Sequence, residues 1–362
     1  MSADPAGPVE TSPAPIPTDQ FDYELPSELI AQAPAEPRDF SRLLVLDRAT
    51  GRLEHTVFRE IGRWIRPGDL LVINRSRVVP ARLAARRRPG GGAAEILLLR
   101  RQEPGIWEAL VRPGRRLTPG VEVELGNGIV GRIVARTPAG GRLIQFTRDA
   151  GLTDDVDDAV LALGRLPLPP YIHDYTGDPE RYQTVYGDQP GSAAAPTAGL
   201  HFTPDLLASL QAQGIGLATV TLHVGLDTFR PVKVEDLSMH EIHRETCTVP
   251  SETARAVSDA QDRGGRVVAV GTTTVRSLET AAGVGGEDGE IVPWSGETSL
   301  FIVPGYRYRI VNAMVTNFHL PRSTLLALVS AFAGRERILA AYAEAIRERY
   351  RFLSFGDAML IV

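Results

Sequence analysis

Apolar residues in this chain recur in two patterns, and the change between them divides it. Short, nearly continuous apolar runs read as buried strands: RLLVLD (42–47), LLVIN (70–74), LATVTL (217–222), VVAV (267–270), SLFIV (299–303) and the last residues, 358–362. Apolar positions three and four apart predict helices over 55–66, 204–213, 252–262, 324–333 and 336–349. Thr203 and Pro204 mark a helix start, and Gly214 marks its stop. Strands alternating with helices predict an α/β core. From about residue 80 to 146 the character changes. Apolar runs at 95–99, 107–111, 121–125, 129–134 and 142–146 alternate with Gly and Pro turns, with no helix between them. That spacing predicts a small antiparallel barrel or sandwich. The expected fold class is therefore α/β: a mixed-sheet main domain (21–78 and 165–362) with an inserted antiparallel β-barrel domain (79–164). Residues 1–20, Pro- and Ala-rich, are expected to be a disordered tail.

Composition narrows the classes. With 362 residues, 43% of them hydrophobic and 23% charged, the chain reads as soluble and globular, large enough for more than one core. A net charge of −5 excludes a global basic field, so any polyanion site must be a local patch. The insert supplies one: Arg82, Arg86, Arg87, Arg88, Arg112, Arg132 and Arg142 are among many arginines facing few acids in the sequence. Arg75 and Arg77 follow the 70–74 strand and add to it. The alternative is a solvated charged face. The single cysteine, Cys247, rules out an intramolecular disulfide and a Cys-rich zinc site. No apolar stretch is long enough to span a membrane, and the N-terminus lacks a signal-peptide pattern. A cytoplasmic location is expected.

Candidate chemistry gathers where strands end. In RVVAVGTTTVRSLE (266–279) a buried strand breaks at Gly271 into Thr272, Thr273 and Thr274, then a helix carrying Arg276. Such a turn offers free backbone N–H groups, hydroxyls and a fixed cation to an anionic or hydroxyl-rich ligand. It also reads as an ordinary turn with a Thr cap. GxxxxGK[ST] and GxGxxG are both absent. Two more strands run into His223 and into Asn317 and His319, and His201 precedes a helix. Parallel strands end on one side of a sheet, so these groups are expected to share a cleft. A lone His is ordinarily a packed one, but several at strand ends suit acid–base work. HEIHRE brings His240 and His243 near Cys247, a loose likeness to a metal ligand set. HExxH is absent, and no metal is expected.

The blocks GDLLVINRSRVVPARL, RLPLPPYI, RYQTVYG, PTAGLHFT, TLHVGLDTFRPV, HEIHRE, VGTTTVRSLE, TNFHLPRSTLLALVSAFAG and YRFLSFGDAMLI occur in order. With FDYELPSELIAQAPAEPRDFSRLLV before them, they closely resemble the S-adenosylmethionine:tRNA ribosyltransferase-isomerase family of queuosine biosynthesis, from residue 21 to 362. The resemblance implies transfer of the ribosyl part of S-adenosylmethionine to 7-aminomethyl-7-deazaguanine at the wobble position of GUN-anticodon tRNA. It implies epoxyqueuosine in the tRNA, with adenine and methionine released. It implies an α/β domain with an inserted barrel, S-adenosylmethionine consumed as substrate, and no cofactor or metal. A monomer is expected.

That reaction suggests roles for the residues. His201, His223 and His319 are candidates for proton transfer, and Glu241 for stabilising the sulfonium or the amine. Thr272, Thr273, Thr274, Arg276, Asn317, His243 and Arg244 are candidate substrate contacts, and Arg75, Arg77, Arg86, Arg87 and Arg88 candidate tRNA contacts. A methyltransferase or a pure RNA-binding module are the rival classes.

Overall fold

The computed structural model describes residues 15–138, 140–148, 155–173, 175–225, 232, 234–240, 242, 244–286 and 289–362. In chain order the strands begin with β1 (Arg42–Leu46), β2 (Leu53–Val57), β3 (Leu70–Asn74) and β4 (Ser76–Val78). Next come β5 (Arg82–Arg88), β6 (Ala93–Glu103), β7 (Ile106–Arg112), β8 (Glu122–Gly126), β9 (Ile129–Arg136) and β10 (Arg142–Arg148). β11 (Gln189–Ser192), β12 (Gly216–Leu222), β13 (Glu245–Val249) and β14 (Val267–Val270) follow. β15 (Trp294–Thr298), β16 (Ala313–Asn317) and β17 (Ala358–Ile361) complete the set. The helices are α1 (Val156–Ala162), α2 (Pro204–Ala212), α3 (Ser251–Asp262), α4 (Thr272–Val284), α5 (Thr324–Ala333) and α6 (Arg335–Arg347).

The strands make a nine-stranded mixed sheet, order β15-β13-β12-β3-β14-β16-β17-β1-β2, and a closed six-stranded barrel of β5 to β10. The fold class read from the pattern, α/β with an antiparallel barrel, is the one observed. Central strands β3, β14, β16 and β17 are buried along their whole length, which is why β3, β14 and β17 read as apolar runs, whereas β16 ends in the polar pair Thr316 and Asn317. Alternate side chains feed two cores. Leu70, Val72, Val267, Ala269 and Met314 face α3 to α6, whereas Leu71, Ile73, Val268, Val270 and Val315 face α2 and the turn around Phe58. A third core fills the barrel, with Leu83, Ile96, Val123, Ile133 and Ile144 inside and Val160 of α1 closing one end.

Three local expectations change, and one stretch without an expectation gains a strand. Residues 55–66 form the edge strand β2 and a 3-10 turn, Phe58–Arg63, instead of an α-helix. The Phe58, Ile61, Ile65 stripe is still buried, and a 3-10 turn satisfies an i, i+3 spacing as well as an α-helix does. SLFIV is not a strand; WSGET just before it pairs with β13 as β15. Ile302 packs in the core, and the Leu300 carbonyl accepts from Arg276 Nε at 3.1 Å instead of joining a ladder. Residues 187–195, which show no apolar period, contain β11, which pairs parallel with β4. Order also begins before residue 21. Thr18 is buried, its N–H donating to Glu235 O (2.8 Å) and its hydroxyl to Val234 O (2.7 Å). Residues 1–14 of the expected tail lie outside the described residues.

Candidate active site

β12, β3, β14 and β16 are mutually parallel neighbours, so their carboxyl ends open on one side of the sheet. There a cleft is lined by Thr272, Thr273, Asn317 and His319, with Gly271, Thr197, Val224, Tyr171 and Ser354 completing the wall. The Thr-rich turn works through its backbone. Gly271 takes φ 88° and ψ 152° at the N-cap, and no side chain caps α4. The first intrahelical bond is Val275 N–H to Gly271 O, which leaves the earlier N–H groups without a helical acceptor at the cleft. The Thr residues divide by role. Thr272 and Thr273 line the cleft, whereas the Thr274 hydroxyl donates back to Val270 O at 2.7 Å and is buried in the helix.

Asn74, at the end of β3, fixes this corner. Its amide donates to Leu222 O (3.0 Å) and to Thr273 Oγ1 (3.3 Å), and its Oδ1 accepts from Leu222 N–H (3.1 Å). It was visible in the sequence only as a polar residue ending an apolar run.

The histidines occupy different depths. His319 lies in the cleft wall, with Nε2 2.7 Å from Thr316 Oγ1. The Thr316 hydroxyl also stands 3.3 Å from Asn317 O. Burial lowers the His319 pKa to about 3, so the ring is neutral. Its backbone is clamped: the carbonyl accepts from the Tyr23 hydroxyl, and the N–H donates to Tyr342 Oη at 3.0 Å.

His201 sits behind the cleft. Asn317 Nδ2 donates to its Nε2 (3.3 Å), so Nδ1 donates to Ser41 Oγ (2.7 Å). Phe58 packs on the ring, and burial, with help from Arg351 and Arg38, lowers its pKa to about 3. Thr197 Oγ1 donates to Asn317 Oδ1 (2.8 Å). Asn317 is therefore held from both ends of its amide, and His201 reaches the cleft only through it.

His223 goes elsewhere. The alternation of β12 puts Leu222 and Val224 in the core and turns His223 against Gly191 of β11. Burial lowers its pKa, and its Nδ1 has no partner.

Arg276, one turn beyond Thr272 on α4, reaches a neighbouring chamber. There its Nη1 donates to Glu245 Oε2, both side chains being buried. Arg244 is exposed and 3.5 Å from Glu297. Glu241 and His243 lie outside the described residues. Cys247 is buried and its thiol is pushed up to about 11, so it is protonated. Among the described residues no group of three or more His, Cys, Asp and Glu side chains stands together as a metal site.

The arginines expected to meet tRNA have acidic company. Arg75 lies 2.9 Å from Asp188, Arg77 2.6 Å from Glu180 and Arg88 3.1 Å from Glu124. On the barrel Arg86 stands opposite Glu124, and Arg88 opposite Glu122. A second, wider cleft runs between the barrel and the Pro-rich segment 164–172; its lining includes Arg82, Glu95, Arg112, Arg165, His173 and Tyr175. No helix among the described residues is long and apolar enough to cross a membrane.

Fold and cleft together define an α/β enzyme with an inserted barrel. A family model described as "Queuosine biosynthesis protein" matches residues 18–361. A protein of Moorella thermoacetica named S-adenosylmethionine:tRNA ribosyltransferase-isomerase is 55% identical over 345 residues, 95% of this chain and 99% of the relative. One of the same name from Heliobacterium modesticaldum is 54% identical, covering 94% and 98%. The crystal structure of an S-adenosylmethionine tRNA ribosyltransferase from Thermotoga maritima is similar at 44% identity and a TM-score of 0.54, covering 95% of this chain and all of the other. The chain belongs to the S-adenosylmethionine:tRNA ribosyltransferase-isomerase family of queuosine biosynthesis enzymes.

Proposed function

We propose that the protein moves the ribosyl part of S-adenosylmethionine onto the aminomethyl nitrogen of 7-aminomethyl-7-deazaguanine at the wobble position of a GUN-anticodon tRNA. Epoxyqueuosine forms in the tRNA, and adenine and methionine leave. The enzyme works in the cytoplasm as a monomer, with residues 79–164 as the barrel domain and 21–78 with 165–362 as the catalytic one. S-adenosylmethionine is consumed, and neither metal nor cofactor takes part.

The observation that carries this reading is the cleft itself, where a neutral His319, an oriented Asn317 and the uncapped Thr272–Thr273 turn converge in a chain of this family. A neutral imidazole, which keeps one ring lone pair, suits removal of a proton beside the sulfonium. Donors at the α4 N-terminus suit ribose hydroxyls or the charge that develops as adenine departs. His201 acts as a positioning residue through Asn317. Glu241 and His243 retain the substrate roles expected from the sequence. tRNA docks through arginines, and the open cleft beside the barrel offers Arg112 and Arg165 in addition to the set flanked by acids.

The test mixes the protein with S-adenosylmethionine and tRNA carrying 7-aminomethyl-7-deazaguanine, following free adenine and the mass of the wobble nucleoside. Adenine release with conversion of that nucleoside supports the reading. S-adenosylhomocysteine instead would make the protein a methyltransferase, and binding without turnover would make it an RNA-binding module. His319→Ala is expected to lower kcat by roughly 100- to 10,000-fold with the fold retained. Undiminished activity would remove His319 from the mechanism.

A further inference from the structure

Beside the cleft lies a second chamber that the proton-transfer chemistry does not use. Leu300, Phe301, Ile302, Leu325 and Leu328 are among its apolar walls, and its polar lining includes Arg276, Glu245, His240 and Thr324. The two chambers touch: Leu325 lines both, and Val224 of one adjoins Gly225 of the other. Thr272 and Arg276 are four residues apart on α4, so one helix face runs from the first chamber into the second.

Arg276 is only partly satisfied. Nε donates to Leu300 O at 3.1 Å and Nη1 to Glu245, but Nη2 has no hydrogen-bond partner. The side chain is 10% exposed and that of Glu245 5%. A buried guanidinium with an open donor carries a desolvation cost that an anion would offset. Glu245 is itself placed with care, its Oε1 accepting from Gly225 N–H at 2.9 Å. A lone anion such as phosphate would face Glu245 as well as Arg276. A zwitterion meets an opposite charge at each end, and the apolar walls accept the short aliphatic stem that carries it.

We propose that this chamber holds the α-amino-acid end of S-adenosylmethionine, with the carboxylate on Arg276 Nη2 and the ammonium toward Glu245. The inference rests on the function proposed above and adds the substrate's orientation. Adenosine lies in the Thr272–His319 chamber, and the sulfonium falls at the junction near Leu325. Glu245 is then a specificity-determining residue that the sequence reading did not single out.

The experiment measures Kd by calorimetry for three probes. They are S-adenosylmethionine, its decarboxylated analogue, which keeps the amine, and 5′-methylthioadenosine, which lacks the amino-acid end. The wild-type protein is expected to bind the decarboxylated analogue about 10- to 100-fold more weakly than S-adenosylmethionine. Arg276→Gln is expected to erase that preference while leaving 5′-methylthioadenosine bound as before. Equal binding of both sulfonium probes to the wild type, or a preference that survives in Arg276→Gln, overturns the proposal. Thr324→Met narrows the chamber from α5 and leaves the ion pair in place. It is expected to weaken S-adenosylmethionine at least about 10-fold without affecting 5′-methylthioadenosine, and unchanged binding overturns the proposal. If the wild type binds no S-adenosylmethionine at all, the proposed function fails. If it binds without a carboxylate preference, only this orientation fails.

Discussion

His201 and His319 show how burial sets the chemistry of one residue type. Both rings are enclosed, both pKa values fall to about 3, and desolvation of the charged form is the main cause in each. The unfolded chain protonates the same rings near pH 6.5, so above that pH neither state binds the proton and stability is complete. Between about 6.5 and 3 the unfolded chain takes up protons that the folded one refuses, and stability falls as pH falls, by up to about 1.4 kcal/mol per pH unit for each ring. Urea denaturation between pH 7.5 and 5 is expected to show this loss, with a shallower slope in His201→Asn. The same slope in both proteins would show that His201 does not carry the linkage. The two rings differ in position: His319 stands in the cleft wall, and His201 lies behind it. His223 has the same alternation-driven fate as any strand residue: one step along β12 separates it from the core-facing Leu222 and Val224.

At the scale of elements, the strand–turn–helix from β14 through α4 organises the molecule. Its apolar strand lies beside β3 and β16, its turn opens the cleft, and its helix carries Arg276 to the second chamber. Further along, Glu279 accepts N–H groups of Arg309 (2.9 Å), Ile310 (3.1 Å) and Val311 (3.0 Å), tying the segment before β16 to the helix. The turn depends on Gly271, whose φ of 88° with ψ of 152° is nearly closed to other residues. Space is not the obstacle, because an added Cβ would meet Ala198 Cβ and Thr273 Oγ1 at an ordinary 3.6 Å. Gly271→Ala is therefore expected to cost about 1–3 kcal/mol in denaturant unfolding and to raise KM for S-adenosylmethionine. A fully stable variant with unchanged KM would show that the turn tolerates the strain.

At the scale of the molecule, charge is distributed less simply than composition suggests. The barrel concentrates arginines, but its antiparallel register sets Glu122 and Glu124 against Arg86 and Arg88. Exposed Arg112 and Arg165 face the cleft between the barrel and segment 164–172, beside Tyr175 and His173, where Arg82, Arg112, Arg142 and Arg165 outnumber Glu95, which stands opposite Arg112. The double variant Arg112→Glu, Arg165→Glu is expected to weaken tRNA binding and to lower the slope of log K against log salt by about 1 to 2. Reversal of Arg86, Arg87 and Arg88 is expected to do less, because Glu122 and Glu124 already neutralise part of that face. The opposite ranking would return the interface to the β5 edge.

By itself the sequence determined what local period and turn chemistry can fix. Runs such as LLVIN and VVAV read as buried strands and are, Thr203-Pro204 opens a helix, and the Gly-punctuated runs of 95–146, read as a barrel or sandwich, belong to the barrel. Thr272, Thr273, Asn317 and His319 were legible as a group because parallel strands end on one side. Tertiary structure alone decided the rest. Which way His223 turns, that His201 lies behind Asn317, that Thr274 bonds its own helix and that Glu245 meets Arg276 all depend on contacts between distant segments. The fate of 55–66 and of SLFIV was decided in the same way, by which neighbour offered a ladder. Periodicity records how a segment faces its surroundings, but partner, depth and register exist only once the segments have packed.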